Sequence, residues 1–409
     1  MVAQAVMFFG IVLFVVTVVH YYLWRRLVRN TTRPGRARRI GTWVLLGLIA
    51  LLIATLIGSR AFPSDVEVFL AWPGYLWIAV MFYLLVGLLV LEIPALVVKL
   101  VWRRQAARPA PVPALVGAPG PSDGPPDEGP AISESRRLFL GRAVALTAGV
   151  AAVGLVGTGV RTALGDPRLR ELAIDLPRLH RGGGWRIALV SDIHLGPLNG
   201  VGRTRRIVDM INGLEADFVA IVGDLVDGSV AELGPAAAPL GNLRSRYGSF
   251  FVTGNHEYFS GYEEWIDEVQ RLGIRPLRNE RVSLPDGLDL AGVNDVTGAG
   301  YGDAPNVAHA LEGRDPANAV VLLAHQPVQA HDAAAHGVDL QLSGHTHGGQ
   351  MVPFNYVVRA SGQPVVSGLG EVDGMPVYVT NGAGFWGPPV RVGAPPDITL
   401  IHLRTPSNP

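Results

Sequence analysis

The chain has 409 residues, of which 49% are hydrophobic and only 17% are charged, and its formal net charge is zero. Zero net charge argues against attachment to nucleic acid through bulk electrostatic attraction, and the absence of cysteine excludes disulfides, thiolate metal ligands and a cysteine nucleophile. Soluble domains usually carry more charge, and here the apolar residues are concentrated in runs. The composition therefore predicts membrane segments joined to a globular domain.

Residues 1–104 are predicted to form a membrane region with three transmembrane helices. The apolar runs cover residues 3–23, about 41–58 and about 72–91, and each is long enough to cross a bilayer as a helix. Basic residues follow the first and third runs, so the positive-inside rule places those flanks in the cytoplasm and the N-terminus outside. Glu92, directly after the third run, is predicted to lie at the end of the third helix and is interpreted as a residue at the membrane boundary rather than a functional carboxylate.

Residues 105–134 are predicted to be a disordered linker, because their prolines, alanines and glycines leave no apolar periodicity. The next segment, 135–162, begins with Ser135-Arg136-Arg137 and continues as an apolar run. It resembles a twin-arginine export signal placed inside the chain, which would make the twin-arginine translocation machinery a partner. An ordinary fourth transmembrane helix is the alternative. Both interpretations predict a multi-pass protein of the cell membrane, with everything after about residue 160 outside the cytoplasm.

Residues 165–409 are predicted to form one globular domain. Short apolar runs alternate with amphipathic helical patterns at Arg203–Leu214 and Tyr262–Leu272, and Gly273 is placed to end the second helix. This alternation is typical of an α/β fold. The runs predicted as strands are Arg186–Val190, Phe218–Val222, Ser249–Val252, Leu288–Val293, Val320–Ala324, Leu340–Leu342 and Val377–Thr380.

Polar motifs follow five of these strands, at the strand end where open α/β sheets place ligand sites. Carboxylate, amide and imidazole side chains of this kind suit Mn, Fe, Zn or Co. Seven candidate ligands are too many for one ion. With one bridging carboxylate they suit two ions roughly 3.5–4 Å apart, an arrangement used for phosphoryl transfer. The motifs are Asp192-x-His194, Gly223-Asp224 with Asp227, Gly254-Asn255-His256-Glu257, Ala324-His325 and Gly344-His345-x-His347.

The five motifs resemble the calcineurin-like metallophosphoesterase superfamily in identity, order and spacing, over about residues 170–405. The tail from Asn381 to Ile398 resembles the membrane-associated bacterial branch, some of whose members carry twin-arginine signals. Asp397 departs from the glutamate expected at its position. The resemblance implies a β-sandwich flanked by helices, two divalent metal ions, and hydrolysis of phosphoric ester bonds.

The resemblance also implies a role for each motif residue. His256 would bind no metal and would protonate the leaving group as general acid, with Asp192 or Glu257 as its orienting carboxylate. Asn255 and His256 would contact the substrate, and Asp227 would support the Asp224 loop rather than bind metal. The metal ligands would be Asp192, His194 and His347 for one ion, Asn255, His325 and His345 for the other, and Asp224 as a bridge between both.

The predicted function is hydrolysis of a phosphate ester or diphosphate bond by a hydroxide that bridges the metals, with Asp224 and His256 as the catalytic residues. Placement at a membrane points by analogy to a lipid or envelope substrate. The alternative is a non-catalytic metal-binding interaction or sensor module on the same fold. A transporter is disfavoured, because the apolar runs carry almost no polar groups.

Two features of the tail have two interpretations each. Arg391 is equally compatible with contact to a substrate phosphate and with a surface salt bridge. The pair Phe385-Trp386 is either a rim around the substrate or part of the core.

Overall fold

The structure is a computed structural model that describes residues 2–61, 64–106, 134–179 and 184–406. The chain divides into two compact units, the first comprising Met1–Ile57 and Leu76–Val156, and the second Gly58–Tyr75 and Gly157–Pro409. The predicted linker, 105–134, lies outside the described residues except at its two ends, which belong to helices.

Four long helices contain the apolar runs. They are α1 (Val2–Leu23), which continues as a π-helical segment at Trp24–Arg29, α2 (Arg36–Ala61), α3 (Ser64–Ala106) and α4 (Glu134–Leu164). Among the described residues, four stretches are long and apolar enough to cross a membrane: Gly10–Arg29, Arg36–Gly58, Glu67–Gln105 and Glu134–Leu164. The third stretch is much longer than the predicted run at 72–91, because α3 continues without interruption through Pro94.

Glu92 lies inside α3, so its predicted position at the end of the third helix is wrong. Its carboxylate forms an ion pair with Nε of Arg26 at 3.0 Å and accepts a hydrogen bond from the hydroxyl of Tyr22 at 3.1 Å. A carboxylate on an apolar helix needs a compensating charge, and α1 and its π-helical extension supply it within the first unit.

The second unit contains two six-stranded sheets. The first has the order β1-β12-β2-β3-β4-β5, and the second has the order β10-β11-β9-β8-β7-β6. The strands are β1 (Arg168–Asp175), β2 (Gly184–Val190), β3 (Phe218–Val222), β4 (Ser249–Val252), β5 (Ile274–Pro276), β6 (Glu280–Leu284), β7 (Leu288–Gly292), β8 (Ala319–Leu323), β9 (Leu340–Ser343), β10 (Gly368–Val372), β11 (Met375–Val379) and β12 (Asp397–Arg404).

Further helices of this unit are α5 (Val201–Asn212), α6 (Val230–Ala237), α7 (Asn255–Phe259), α8 (Tyr262–Arg271), α9 (Val307–Ala310), α10 (Ala330–Ala335) and α11 (Asn355–Ala360). Helices α5, α6 and α8 cover the outer face of the first sheet, α9 and α10 cover that of the second, and the short helices α7 and α11 lie in the loops after β4 and β9. Because successive strand residues point to opposite faces, one set of apolar side chains, such as Leu189, Phe218 and Val321, packs between the sheets. The other set packs against helices, for example against Ile207 of α5 and Trp265 of α8. This layering confirms the predicted β-sandwich flanked by helices.

All seven predicted strands are present, with ends within two residues of the prediction. Both predicted amphipathic helices are also present, as α5 and α8. Gly273 follows α8 with a φ of 79°, the left-handed conformation that often ends a helix. Five strands were not predicted, namely β1, β5, β6, β10 and β12.

The motifs converge because of the strand directions. Strands β2, β3 and β4 run parallel in one sheet, and β7, β8 and β9 run parallel in the other. The carboxyl ends of parallel neighbours lie at the same edge of a sheet. The loops after β2, β3, β4, β8 and β9, which contain the five motifs, therefore meet at one edge of the sandwich.

Candidate metal centre

The first group of potential metal ligands contains Asp192 and His194, after β2, and His347, after β9. Nε2 of His347 lies 3.0 Å from Nε2 of His194 and 3.4 Å from Oδ1 of Asp192. All three side chains are buried. The structure thus brings together the three residues predicted to hold one ion.

The second group contains Asp224, His325 and His345. Nε2 of His325 lies 3.1 Å from Oδ2 of Asp224. Asn255 joins this group, because its Oδ1 lies 2.9 Å from Nδ1 of His345. These are the residues predicted for the other ion together with the predicted bridge.

Asp224 lies between the two groups. Its Oδ2 is 3.1 Å from Nε2 of His325 and 3.8 Å from Nε2 of His194, while its Oδ1 accepts a hydrogen bond from the backbone N–H of His256 at 2.9 Å. One carboxylate therefore faces ligands of both groups, which is the position that a bridging ligand must occupy.

The backbone of the ligand loops is strained. Left-handed φ angles cost non-glycine residues about 1–3 kcal/mol each, and they persist only where surrounding contacts enforce them. Such residues concentrate at functional sites. Five of the seven predicted ligands adopt them: Asp192 (51°), His194 (48°), Asp224 (51°), His345 (70°) and His347 (51°).

Glycine is required where these loops approach one another. A Cβ added at Gly254 would overlap the carboxylate of Asp224, and a Cβ added at Gly344 would overlap the side chains of Ser191 and Asp192. The glycines of the Gly-Asn-His-Glu and Gly-His-x-His motifs thus allow loops from different strands to pack against the carboxylates of Asp224 and Asp192.

Asp227 positions two imidazoles at once. Its Oδ1 lies 2.8 Å from Nδ1 of His194 and 2.7 Å from Nδ1 of His256. The prediction that Asp192 or Glu257 orients His256 is therefore wrong. The reason is topological: the loop after β3 brings Asp227 between the two histidines, which sequence spacing does not reveal.

Glu257 supports the Asp224 loop, the role predicted for Asp227. Its carboxylate accepts hydrogen bonds from three backbone N–H groups, those of Gly254 at 2.6 Å, Leu225 at 2.7 Å and Asp224 at 3.0 Å. Burial and the nearby charge of Asp224 raise the pKa of Glu257 to about 7 despite these donors. Its three contacts join the ends of β3 and β4, which carry Asp224 and Asn255.

The two buried aspartates differ in electrostatic environment. Burial raises the pKa of Asp192 above its ordinary value. Burial alone would also raise the pKa of Asp224, but the imidazole of His325 holds it well below its ordinary range. The same pairing raises the pKa of His325 well above its ordinary value, against the effect of burial. A metal ion that bound here would take the place of the proton that the raised pKa of His325 retains.

Two other imidazoles favour the neutral form, that of His345 in the second group and that of His347 in the first group. Burial and the charge of His325 lower the pKa of His345 to about 3. Burial and the guanidinium of Arg391 lower the pKa of His347 well below its ordinary value. Neutral imidazole is the form that ligates a metal.

The donor set fits a hard or borderline divalent ion. Nδ1 of His325 donates to the backbone carbonyl of Val222 at 2.8 Å, which leaves Nε2 directed at Asp224. That Nε2 is buried and makes no hydrogen bond. Metal-ligating histidines usually show this arrangement, with one ring nitrogen held by a backbone carbonyl and the other left for the metal.

Arg391 is a buried support of the first group, so neither of its predicted roles is correct. It is only 1% exposed, and its Nη1 donates to the carbonyl of His347 at 2.8 Å. Nη2 lies 2.8 Å from Nδ1 of His347, and Nε donates to the carbonyl of Gly384 at 3.1 Å. Arg391 therefore fixes the His347 loop.

The tail also supports the strand end that carries Asp192. The backbone N–H groups of Ala383 and Gly384 donate to the carbonyls of Ser191 and Asp192, each at 2.8 Å. Asp397, at the start of β12, is buried and accepts a hydrogen bond from the backbone of Asn381 at 3.1 Å. The shorter side chain found there in place of the expected glutamate thus still holds this loop.

Phe385 and Trp386, predicted to form either a rim around the substrate or part of the core, have different environments. Phe385 is 3% exposed and belongs to the core, whereas Trp386 is 57% exposed. The ring centroid of Trp386 lies 5.8 Å from that of His256. Trp386 therefore forms part of the rim of the site.

Comparison with known proteins gives consistent matches. The family model described as calcineurin-like phosphoesterase matches residues 186–349. A protein from Helicobacter pylori described as an uncharacterized metallophosphoesterase is 38% identical over 272 residues, which cover 66% of this chain and 72% of the relative. A "transmembrane protein with metallophosphoesterase domain" from Danio rerio is 37% identical over 276 residues, 64% of this chain and 62% of the relative. Its counterpart from Bos taurus is 38% identical, covering 67% and 64%. The chain thus spans slightly less than two thirds of these two vertebrate relatives.

Proposed function

This chain belongs to the calcineurin-like metallophosphoesterases, a family of phosphoric ester hydrolases, and we propose that it hydrolyses its substrate with two divalent metal ions. The resemblance inferred from the five motifs is confirmed by these relatives. The observation that carries the two-metal proposal is the position of Asp224, whose carboxylate faces both groups of ligands.

The proposed ligands of one ion are Asp192, His194 and His347, and those of the other are Asn255, His325 and His345, with Asp224 shared. When bound, the two ions would neutralise the charge on the phosphate oxygens and activate the attacking water. The carboxylate, amide and imidazole donors are compatible with Mn, Fe, Zn or Co.

His256 is the proposed general acid. Burial would lower its pKa, but the hydrogen bond to Asp227 and the charge of Asp224 outweigh burial and raise the pKa to about 9. The raised pKa favours the protonated imidazole, which is the form that a general acid requires. Because Nδ1 is held by Asp227, the proton on Nε2 is the one that can pass to the departing oxygen. General acid catalysis of this kind contributes about 10²–10⁴-fold.

The reaction is tested with the full chain in detergent and methyl p-nitrophenyl phosphate, a soluble phosphodiester. We expect hydrolysis that a chelator abolishes and Mn²⁺ restores, and elemental analysis of the active protein should find two ions per chain. Hydrolysis that continues unchanged after complete removal of metal would contradict the proposal. Metal binding without turnover would favour the alternative of a non-catalytic interaction or sensor module.

We also propose that the phosphoesterase domain lies outside the cytoplasm, on a chain that crosses the membrane several times. The support is the basic flank after α1 and the four apolar stretches among the described residues. The paired arginines Arg136 and Arg137 lie in the first turn of α4, as a twin-arginine signal before an apolar helix would.

The absence of native cysteine makes the orientation directly measurable. A membrane-impermeant maleimide added to intact cells should label Glu264→Cys, an exposed position on α8, but should label Arg36→Cys only after permeabilisation. The opposite labelling pattern would overturn the orientation. Adding Arg136→Lys and Arg137→Lys to the Glu264→Cys variant should abolish surface labelling if the twin-arginine route is used.

A further inference from the structure

Two exposed aromatic rings flank the proposed general acid. Phe259 is 64% exposed and Trp386 is 57% exposed, and each ring centroid lies 5.8 Å from that of His256. Large aromatic side chains are costly to leave in water, and exposed apolar patches on soluble domains usually mark a site of binding. A phosphate that reaches His256 therefore has an apolar surface next to it.

Trp386 is held in place by Gln350. The backbone N–H of Trp386 donates to Oε1 of Gln350 at 3.1 Å, and its carbonyl accepts from Nε2 of the same side chain at 2.9 Å. Gln350 itself is 9% exposed and follows the His347 loop. The indole is thus positioned by the same loop that carries a predicted metal ligand.

The chain that follows Trp386 packs on the end of α4. The backbone N–H of Arg391 donates to the carbonyl of Gly159 at 3.0 Å. A Cβ added at Gly159 would lie 2.5 Å from Cγ1 of Val390 and 2.9 Å from Cγ2 of Val392, so no side chain separates the helix from this segment. Gly159 belongs to α4, one of the helices long and apolar enough to cross a membrane.

A second contact joins the rim to α3. The ring of Tyr75 lies 3.8 Å from the position that a Cβ would have at Gly387, the residue directly after Trp386. Tyr75 belongs to the second unit, and it lies within the apolar stretch Glu67–Gln105. Tyrosine and tryptophan are enriched at the level of the lipid head groups, where a membrane helix leaves the bilayer.

We propose that the substrate is a membrane lipid whose phosphoester enters the metal centre while the adjacent apolar part of the lipid lies against Phe259 and Trp386. The inference rests on the proposed function and names its substrate class. Gly159 of α4 and Tyr75 of α3, two helices apolar enough to cross a membrane, contact the segment that carries the rim, which favours a substrate drawn from the bilayer.

The reaction on such a lipid balances with water alone. The water oxygen forms a new bond to phosphorus, and the bond from phosphorus to the leaving oxygen breaks. The proton on Nε2 of His256 passes to that oxygen, and a proton from water returns the imidazole to its starting state. One ester and one water become a phosphate with one fewer ester group and one alcohol.

Two esters with the same reacting group test the proposal on the full chain in dodecyl maltoside micelles: hexadecyl p-nitrophenyl phosphate and methyl p-nitrophenyl phosphate. We expect kcat/KM for the hexadecyl ester to exceed that for the methyl ester by about tenfold or more, as burial of part of the chain against two rings would give. The variants Phe259→Ala and Trp386→Ala should each bring this ratio towards one, whereas Trp386→Phe should keep most of it.

Leu369→Ala is the matched control, because Leu369 is a 53% exposed apolar residue on β10. It should leave both rates and their ratio unchanged. A wild-type ratio near one, or a high ratio that survives loss of both rings, would overturn the lipid inference while leaving the phosphoesterase intact. If neither ester is hydrolysed by metal-loaded protein, the proposed function itself fails.

Discussion

Replacement of Asp224 by asparagine is expected to lower the bound metal from two ions per chain to at most one and to reduce turnover by about 10³-fold or more. Each ion supplies several kcal/mol of charge stabilisation, and each 1.36 kcal/mol is tenfold in rate. The amide keeps the shape of the side chain and its contact with the backbone N–H of His256. The amide lacks the negative charge that would bind two cations. The loss of metal and turnover would therefore arise from loss of the bridging ligand and not from altered packing.

The measurements are elemental analysis after gel filtration and the rate on methyl p-nitrophenyl phosphate at saturating Mn²⁺. Asp209→Asn, a change at an exposed carboxylate on α5, is the matched control and should retain two ions and full activity. An Asp224→Asn protein that holds two ions and turns over normally would show that Asp224 is not the bridge.

His256→Ala is expected to retain both ions and lose about 10²–10⁴-fold in turnover, because the residue donates a proton without ligating metal. The loss should depend on the leaving group. p-Nitrophenolate departs readily without a proton, so the loss on methyl p-nitrophenyl phosphate should be smaller than on methyl phenyl phosphate. An equal loss on both esters, accompanied by loss of metal, would identify His256 as a ligand instead.

Asp227→Asn separates positioning from catalysis in the same experiment. The carboxylate of Asp227 helps to raise the pKa of His256, so its neutralisation lowers that pKa. Because the general acid must be protonated to act, the rate then begins to fall at a lower pH than in the wild-type protein. The basic limb of the pH–rate profile should therefore move to more acidic pH. The hydrogen bond to Nδ1 of His194 also loses its negatively charged acceptor, and metal affinity should fall by about 10–100-fold, as for other residues that orient metal ligands. A profile that does not move would show that another group titrates.

Much of this architecture can be inferred from local patterns. The central strands β3 and β4 are continuous apolar runs buried on both faces, so they stand out in the sequence. The motif residues follow these strands directly, and parallel strands place their ends together. The closeness of Asp224 to Asn255, and of His325 to His345, could therefore be predicted without coordinates, whereas the meeting of these two pairs depends on how the two sheets pack.

Strands at the margins were missed for a physical reason. Most residues of β1 are exposed, and several are charged, so this edge strand lacks an apolar signature. β12 is buried but lies at the end of the chain, and it joins the sheet between β1 and β2 through pairing with residues some two hundred positions away. Pairing between segments so far apart in the chain produces no pattern in the local sequence.

The motif residues and their strand ends follow from the amino-acid pattern, because apolar period and spacing are local properties. The partners of those residues depend on the folded chain. Asp227 rather than Glu257 orients His256, and Arg391 is buried behind His347, since each contact is made by a loop whose path is set by packing between distant strands. The same packing brings Trp386 beside His256, and no spacing in the sequence connects those two residues.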